Sequence, residues 1–300
     1  MKIRKTNGLI AAPPTGFLND KTVDYDVIRP LAAHLQKSGV AGVFVNGTTG
    51  EGASLTIKER KSIAAEWRQV IPAGMKLFIH VGLEAAESAI ELARHSREIG
   101  ADAIAVIAPG FYKPAGIKEL TNWCLPIAKA AADVPFYFYH MPAMTGVQIN
   151  AVQFLEYAGS HIPNLAGIKF THEALAEYMD ALHLQKKRFD LLWGRDEMLL
   201  GALAMGAEGG VGSTYNVFCP LYLRLIENYR KGNQKAARRL QLKAIQMINI
   251  MAASGNFFSA LKAILQSQGV PILPITRPPL MSLTNTQSVK LTQEIAALNI

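Results

Sequence analysis

The sequence predicts an α/β protein built as a closed (β/α)8 barrel with additional C-terminal helices. Three observations carry that prediction. Short apolar runs recur along the chain, and after most of them comes a segment with helical spacing or a helix-start signal. Most of these runs are apolar throughout instead of alternating, as expected when both faces of a parallel sheet are covered. Glycines and hydroxyl-bearing or charged residues gather just after the runs, where the mouth of such a barrel lies. With 300 residues, half of them hydrophobic, the chain can build one large barrel or two ordinary domains. No linker or low-complexity stretch divides it, so residues 1–300 are expected to form one domain. Residues 1–217 would form the barrel, with 218–300 as a helical extension packed on it. A doubly wound open sheet uses the same alternation and is the alternative.

The elements follow in order. Gly8 to Pro13 is a first apolar run closed by Pro13-Pro14, followed by a helix over about 24–38. Ala41 to Val45 is the second strand and ends in Asn46-Gly47-Thr48-Thr49-Gly50-Glu51-Gly52; the next helix starts near Thr56, with Glu59 completing a capping box. Lys76 to Val81 is the third strand, and the helix behind it lines up Ala85, Ala89, Leu92, Ser96 and Ile99 on one inward stripe. Strand four, Ala103 to Ala108, leads through Pro109-Gly110-Phe111-Tyr112 to a helix over about 116–131, which Pro126 is positioned to kink. Pro135 to Tyr139, Asn164 to Lys169, Phe189 to Trp193 and Gly209 to Gly212 complete a set that fits a TIM barrel. Two or three more helices are expected over about 220–268, then an irregular proline-bearing tail and a last short helix from about Asn285.

The net charge of +8 comes from dispersed residues; Lys186-Lys187-Arg188 and Arg238-Arg239 are short clusters on solvated faces, so no nucleic-acid partner is expected. Excess positive charge would instead help to draw in an anionic small substrate. No apolar run approaches the roughly 20 residues of a membrane span. The basic start Met1 to Lys5 does not lead into a signal-peptide core, and two distant cysteines, Cys124 and Cys219, suit a reducing compartment, so a cytoplasmic location is expected. The seven histidines are scattered and His172-Glu173 lacks zinc-site spacing, so no metal is expected. No Gly-x-Gly-x-x-Gly fingerprint follows a strand, so no nucleotide cofactor is expected either.

The residue that most needs a reason is Lys169, in the short apolar stretch 165–171. A buried cation costs several kcal/mol unless it is paired or neutral, so Lys169 either reaches solvent or serves as an amine kept partly unprotonated to attack a carbonyl. Tyr139 ends the neighbouring strand, and adjacent strands lie roughly 4.7–4.9 Å apart, so the amine and the phenol are expected to converge. The loop 47–51 can turn sharply on its glycines and offer backbone N–H groups and two hydroxyls to a carboxylate. A Schiff-base enzyme needs an amine, a proton shuttle and a cradle for the substrate's acid group, and these three positions supply them. By alternation His140 should point away from the barrel interior if Tyr139 points in.

Gly47-Thr48-Thr49-Gly50-Glu51, Tyr139 to Gly146, Gly167-Ile168-Lys169 and Gly209 to Asn216 together resemble the dihydrodipicolinate synthase superfamily of pyruvate-dependent aldolases, in the right order and over nearly the whole chain. Met144 stands where the synthases carry an arginine, and Gly194-Arg195-Asp196-Glu197 matches a Gly-x-Asp-Glu segment of the sialic acid aldolases, so the lyase branch is the nearer resemblance. That resemblance implies a homotetramer that splits N-acetylneuraminate into pyruvate and N-acetylmannosamine, with no cofactor beyond a covalent Schiff base on Lys169. It further implies catalytic roles for Lys169, Tyr139, Thr48 and Tyr112, the last supplied by a neighbouring subunit. Thr49 would grip the carboxylate, while Thr171, Gly194, Asp196, Glu197 and Ser213 would hold the sugar. The rival expectations are another pyruvate-dependent aldolase or synthase acting on a different sugar acid or on aspartate semialdehyde, and a non-catalytic sugar-acid-binding barrel.

Overall fold

The computed structural model describes residues 3–298; Met1 and Lys2 of the basic start and the final two residues of the expected extension lie outside the described residues. Eight parallel strands close on themselves in chain order: β1 Gly8–Ala11, β2 Gly42–Val45, β3 Lys76–His80, β4 Ala103–Ile107, β5 Phe136–His140, β6 Leu165–Phe170, β7 Asp190–Trp193 and β8 Gly209–Gly212. The ring is sealed where Leu9 pairs with Gly210 and Ile10 with Val211, which removes both edges and with them the open-sheet alternative.

Helices alternate with the strands: α1 Ile28–Lys37, α2 Ile57–Val70, α3 Ala86–Glu98, α4 Ile117–Ala130, α5 Pro142–Thr145, α6 Ala151–His161, α7 Leu175–His183, α8 Leu199–Ala204 and α9 Tyr215–Arg230. Three more follow, α10 Gln234–Ala253, α11 Phe257–Ser267 and α12 Asn285–Ala297. The expected capping box at Thr56 and Glu59 is present at the start of α2. Helix α1 starts four residues later than the sequence suggests, because a bridge between Phe17 and Val23 and a turn closed by the Asp24 side chain on the Asp26 N–H occupy the stretch before it. The boundary expected at 217 falls inside α9, which begins before Pro220. Phe218 breaks its helical geometry, and the ring Nε2 of His34 lies 3.0 Å from the Asn216 carbonyl that Pro220, lacking an N–H, cannot bond.

Strand alternation divides the apolar residues between two layers. Ile10, Phe44, Phe78, Ala105, Tyr137, Tyr139 and Leu192 pack inside the ring. Phe136, Phe138, Ile168, Phe170 and Trp193 face outward into the larger layer beneath the helices. Each of the Ile, Leu and Phe side chains among them, fully buried, contributes about 1.5–3 kcal/mol relative to exposure, which makes the ring a rigid frame for whatever stands at its mouth.

The extension is tied to that mouth by charge. The side chains of Lys262 on α11 and Glu51 on the loop after β2 are both fully buried and pair at 2.6 Å. The Arg277 N–H donates to the other oxygen of Glu51, at 3.0 Å. The Arg277 guanidinium grips Glu59 at 2.9 and 2.6 Å. Lys262 and Arg277 also lie over the ring of Phe17.

Candidate active site

The register places Tyr139 of β5 directly beside Lys169 of β6, each one residue before the end of its strand. Lys169 points into the ring, beside the inward Tyr139 and Phe44, instead of reaching solvent: its Nζ lies 3.9 Å from the centre of the Tyr139 ring and 4.1 Å from that of Phe44. Burial of the amine pushes its pKa down from the ordinary 10.5 to about 7, although the carboxylate of Asp196 pulls the other way. Near neutral pH a substantial fraction of Lys169 is therefore free amine. Burial pushes the Tyr139 phenol up to about 12, so it stays protonated.

His140, one residue on, points outward as alternation requires. It sits against Phe138 and Phe170, and burial pushes it down to about 4, so it is a neutral packing residue.

The loop after β2 brings its hydroxyls to the same place. Thr48 Oγ1 lies 3.3 Å from Tyr139 Oη, and Thr49 Oγ1 lies 2.7 Å from Ser213 Oγ across the mouth. Ser213 thus stands beside Thr49 in the cavity. The loop turns on Asn46, in the left-handed region at φ 60, whose side chain donates to the Arg60 carbonyl at 2.9 Å.

The Asp196 side chain, from the segment after β7, is buried against Gly212 of β8. Its Oδ2 accepts from the N–H and hydroxyl of Thr214 at 2.8 and 2.6 Å, while Oδ1 has no partner among the described residues. A Cβ at Gly212 would overlap Asp196 Oδ1, and one at Gly194 would overlap the Thr171 hydroxyl, so both glycines leave the space these polar groups occupy. Burial pushes the Asp196 pKa up to about 6, opposed by the Thr214 contacts. The backbone of Asp196 is held from α10, where Gln241 Nε2 donates to its carbonyl at 3.2 Å.

These groups line one cavity of about 410 Å³, within the range of small-molecule sites. It contains nine of the ten residues expected from the sequence: Thr48, Thr49, Tyr139, Lys169, Thr171, Gly194, Asp196, Glu197 and Ser213. The tenth, Tyr112, stands apart on the loop after β4, 84% exposed and edge-on to Phe111. Sequence reasoning missed Thr214, Met141 and Gly212, and also the apolar wall of Ile248, Phe257 and Phe258 from α10 and α11. Thr214 could have been found, since a hydroxyl after a glycine-rich strand is a natural partner for a buried carboxylate; an amphipathic helix does not announce which cavity it covers. Among the described residues, no cluster of three or more His, Cys, Asp or Glu could hold a metal.

A buried amine of lowered pKa, walled by a protonated phenol inside a parallel barrel, is the equipment of the Schiff-base enzymes. Comparison with known proteins narrows the class. The profile of the Dihydrodipicolinate synthetase family matches residues 5–298, and the chain belongs to that family. The mouse N-acetylneuraminate lyase is 38% identical over 300 residues, covering 99% of this chain and 93% of that protein. The Proteus mirabilis N-acetylneuraminate lyase structure superposes with a TM-score of 0.96 at 37% identity, covering 99% of both chains. The Aliivibrio salmonicida N-acetylneuraminate lyase (sialic acid aldolase) follows at 0.95 and 36%, covering 99% of this chain and 98% of that one.

Proposed function

We propose that the chain is a class I aldolase, a carbon–carbon lyase that cleaves N-acetylneuraminate to pyruvate and N-acetylmannosamine. The observation that carries this reading is the shared cavity: the amine of Lys169, the phenol of Tyr139 and the carboxyl of Asp196, whose Oδ1 has no partner among the described residues, all line it. The first group bonds a keto acid, and the last accepts hydroxyls of a polyol. Met144, at the rim, offers no charge to a second carboxylate of the kind a dicarboxylic product carries.

In the proposed reaction the free amine of Lys169 adds to the C2 ketone of the open-chain acid, and loss of water leaves a protonated imine, which serves as the electron sink. Thr49 and the N–H groups of its loop hold the C1 carboxylate. As the C3–C4 bond breaks, its electron pair moves into the iminium, and Tyr139 takes the C4 hydroxyl proton while passing its own to Thr48, whose hydroxyl proton is released in turn to water at the mouth, from which the enamine later takes one back. The aldehyde of N-acetylmannosamine leaves, and the enamine is protonated at C3 and hydrolysed to pyruvate and free Lys169. Thr171, Gly194, Asp196, Glu197 and Ser213 hold the sugar chain, and no cofactor besides the covalent imine takes part.

Tyr112 would extend the hydroxyl relay from a neighbouring subunit of a homotetramer. That role is supported by the exposed pair Phe111 and Tyr112 and by the nearby exposed Met144, an apolar surface suited to a second copy. The buried free thiols Cys124 and Cys219 favour a reducing, cytoplasmic setting. Among the described residues, no single helix is long and apolar enough to cross a membrane. The decisive test is pyruvate release from N-acetylneuraminate, coupled to a pyruvate-consuming reporter. Release is expected from wild type and not from Lys169→Ala. Cleavage of other 2-keto-3-deoxy sugar acids in its place would keep the class and discard the substrate.

A further inference from the structure

Arg195 occupies the variable position of the Gly194-Arg195-Asp196-Glu197 segment and does not itself line the cavity. Its backbone carbonyl is held by the indole N–H of Trp193 at 2.6 Å, which fixes where its side chain starts. The guanidinium then reaches two carboxylates through one nitrogen: Nη2 is 2.9 Å from Glu197 Oε1 and 2.9 Å from Glu173 Oε1, the latter on the loop after β6. Its Nε–H is buried and has no acceptor among the described residues, so the head group is held by that forked ion pair.

The two carboxylates differ in setting. The Glu173 side chain is 65% exposed and its half of the pair is largely screened by water, whereas Glu197 is 32% exposed and lines the cavity. With Oε1 of Glu197 engaged by Arg195, Oε2 is left to accept from a ligand. The same pair offsets negative charge at a rim that already carries Asp196 and that has to admit an anionic sugar acid.

Building on the sialic acid reading above, we propose that Arg195 is a positioning residue for substrate selection. It holds Glu197 in the one arrangement that presents Oε2 to the polyol end of the substrate, with Glu173 bracing Arg195 from the far side. It acts through Glu197 and not on the imine-forming centre. Replacing Arg195 should therefore weaken binding of the long polyol while leaving capture of pyruvate by Lys169 intact.

The test is a cycle of Arg195→Met, Glu197→Gln and the double variant, read as kcat and KM for N-acetylneuraminate, with borohydride trapping of pyruvate on each protein. Arg195→Met should raise KM about five- to tenfold with kcat within about twofold, the scale of one charge-assisted contact at a half-exposed site. The double variant should be no worse than Glu197→Gln alone, and trapping should match wild type in all three. Arg195→Lys, which keeps the charge without the fork, should recover part of the loss. Fully additive effects, or an unchanged KM in Arg195→Met, would overturn the proposal, as would loss of trapping in Arg195→Met, since the residue would then act on the reacting centre or only on the fold. Wild type that traps pyruvate but releases none from any N-acylneuraminate removes the substrate reading and this proposal with it, an outcome separable from a failed cycle because it appears before any variant is made.

Discussion

Replacing Lys169 with methionine should make the protein more stable, and by an amount that depends on pH in a way no ordinary core substitution reproduces. In the folded chain burial holds the amine near pH 7, whereas in the unfolded chain it titrates near its ordinary 10.5. Because the folded pKa is the lower one, the native state binds fewer protons than the unfolded state throughout the window between about 7 and 10.5. Lys169 therefore lowers stability most at and below pH 7, less as pH rises through that window, and not at all above it. By linkage the penalty is about 5 kcal/mol below pH 7, about 2 kcal/mol at pH 9 and close to zero above pH 10.5.

Lys169→Met fills much the same volume without charge, so urea unfolding at fixed protein concentration should show it roughly 4–5 kcal/mol more stable than wild type at pH 6, with the gap narrowing steadily toward pH 10. The same ionisation should appear in a second measurement on wild type: the rate of borohydride trapping with pyruvate should rise with pH, pass half-maximum near 7 and then level off. A gap constant from pH 6 to 10, or a trapping midpoint above 9, would mean that the amine is solvated, and the reasoning from its burial would be refuted.

Tyr139→Phe removes the proton carrier 3.3 Å from Thr48 but not the amine, so cleavage should slow by about 10²- to 10⁴-fold while pyruvate is still trapped on Lys169; loss of both together would contradict the separation of roles. Lys262→Met strands Glu51 as an unpaired buried carboxylate and should cost about 3–5 kcal/mol in urea unfolding, whereas adding Glu51→Gln should recover much of the loss; equal instability of single and double variants would show that charge burial is not the cause. Gly212→Ala places a methyl group onto Asp196 Oδ1 and should raise KM for N-acetylneuraminate more than it affects pyruvate trapping, a split that parallel assays on one preparation can read.

The sequence disclosed the strands and the lysine because both rest on local rules. An apolar run has a period, and alternation from Tyr139 alone settles that His140 faces outward. Lys169, Tyr139, Thr48 and Thr49 were legible for a related reason, since in a parallel barrel every strand points its carboxyl end at the same mouth, whereas Thr171, Gly194, Asp196, Glu197 and Ser213 were reached only through the resemblance to the family. What stayed hidden depends on partners remote in the chain. Glu51 reads as the tail of a carboxylate-binding loop, yet its side chain is spent on Lys262, 211 residues away, and on the backbone of Arg277. No periodicity encodes which cation will meet it.

Likewise Ile248, Phe257 and Phe258 follow ordinary helical patterning, and only the docking of α10 and α11 makes them a wall of the cavity. The extension and the loop after β2 are thus one mechanical unit: the Glu51 loop that carries Thr48 and Thr49 is clamped by the same α11 that begins with Phe257. Burial of that ion pair in low dielectric is what makes the clamp stiff, since a charge withdrawn from water cannot move off its partner without paying several kcal/mol. The helices beyond the ring are therefore part of what fixes the distance between the hydroxyls of Thr48 and Thr49 and the amine of Lys169.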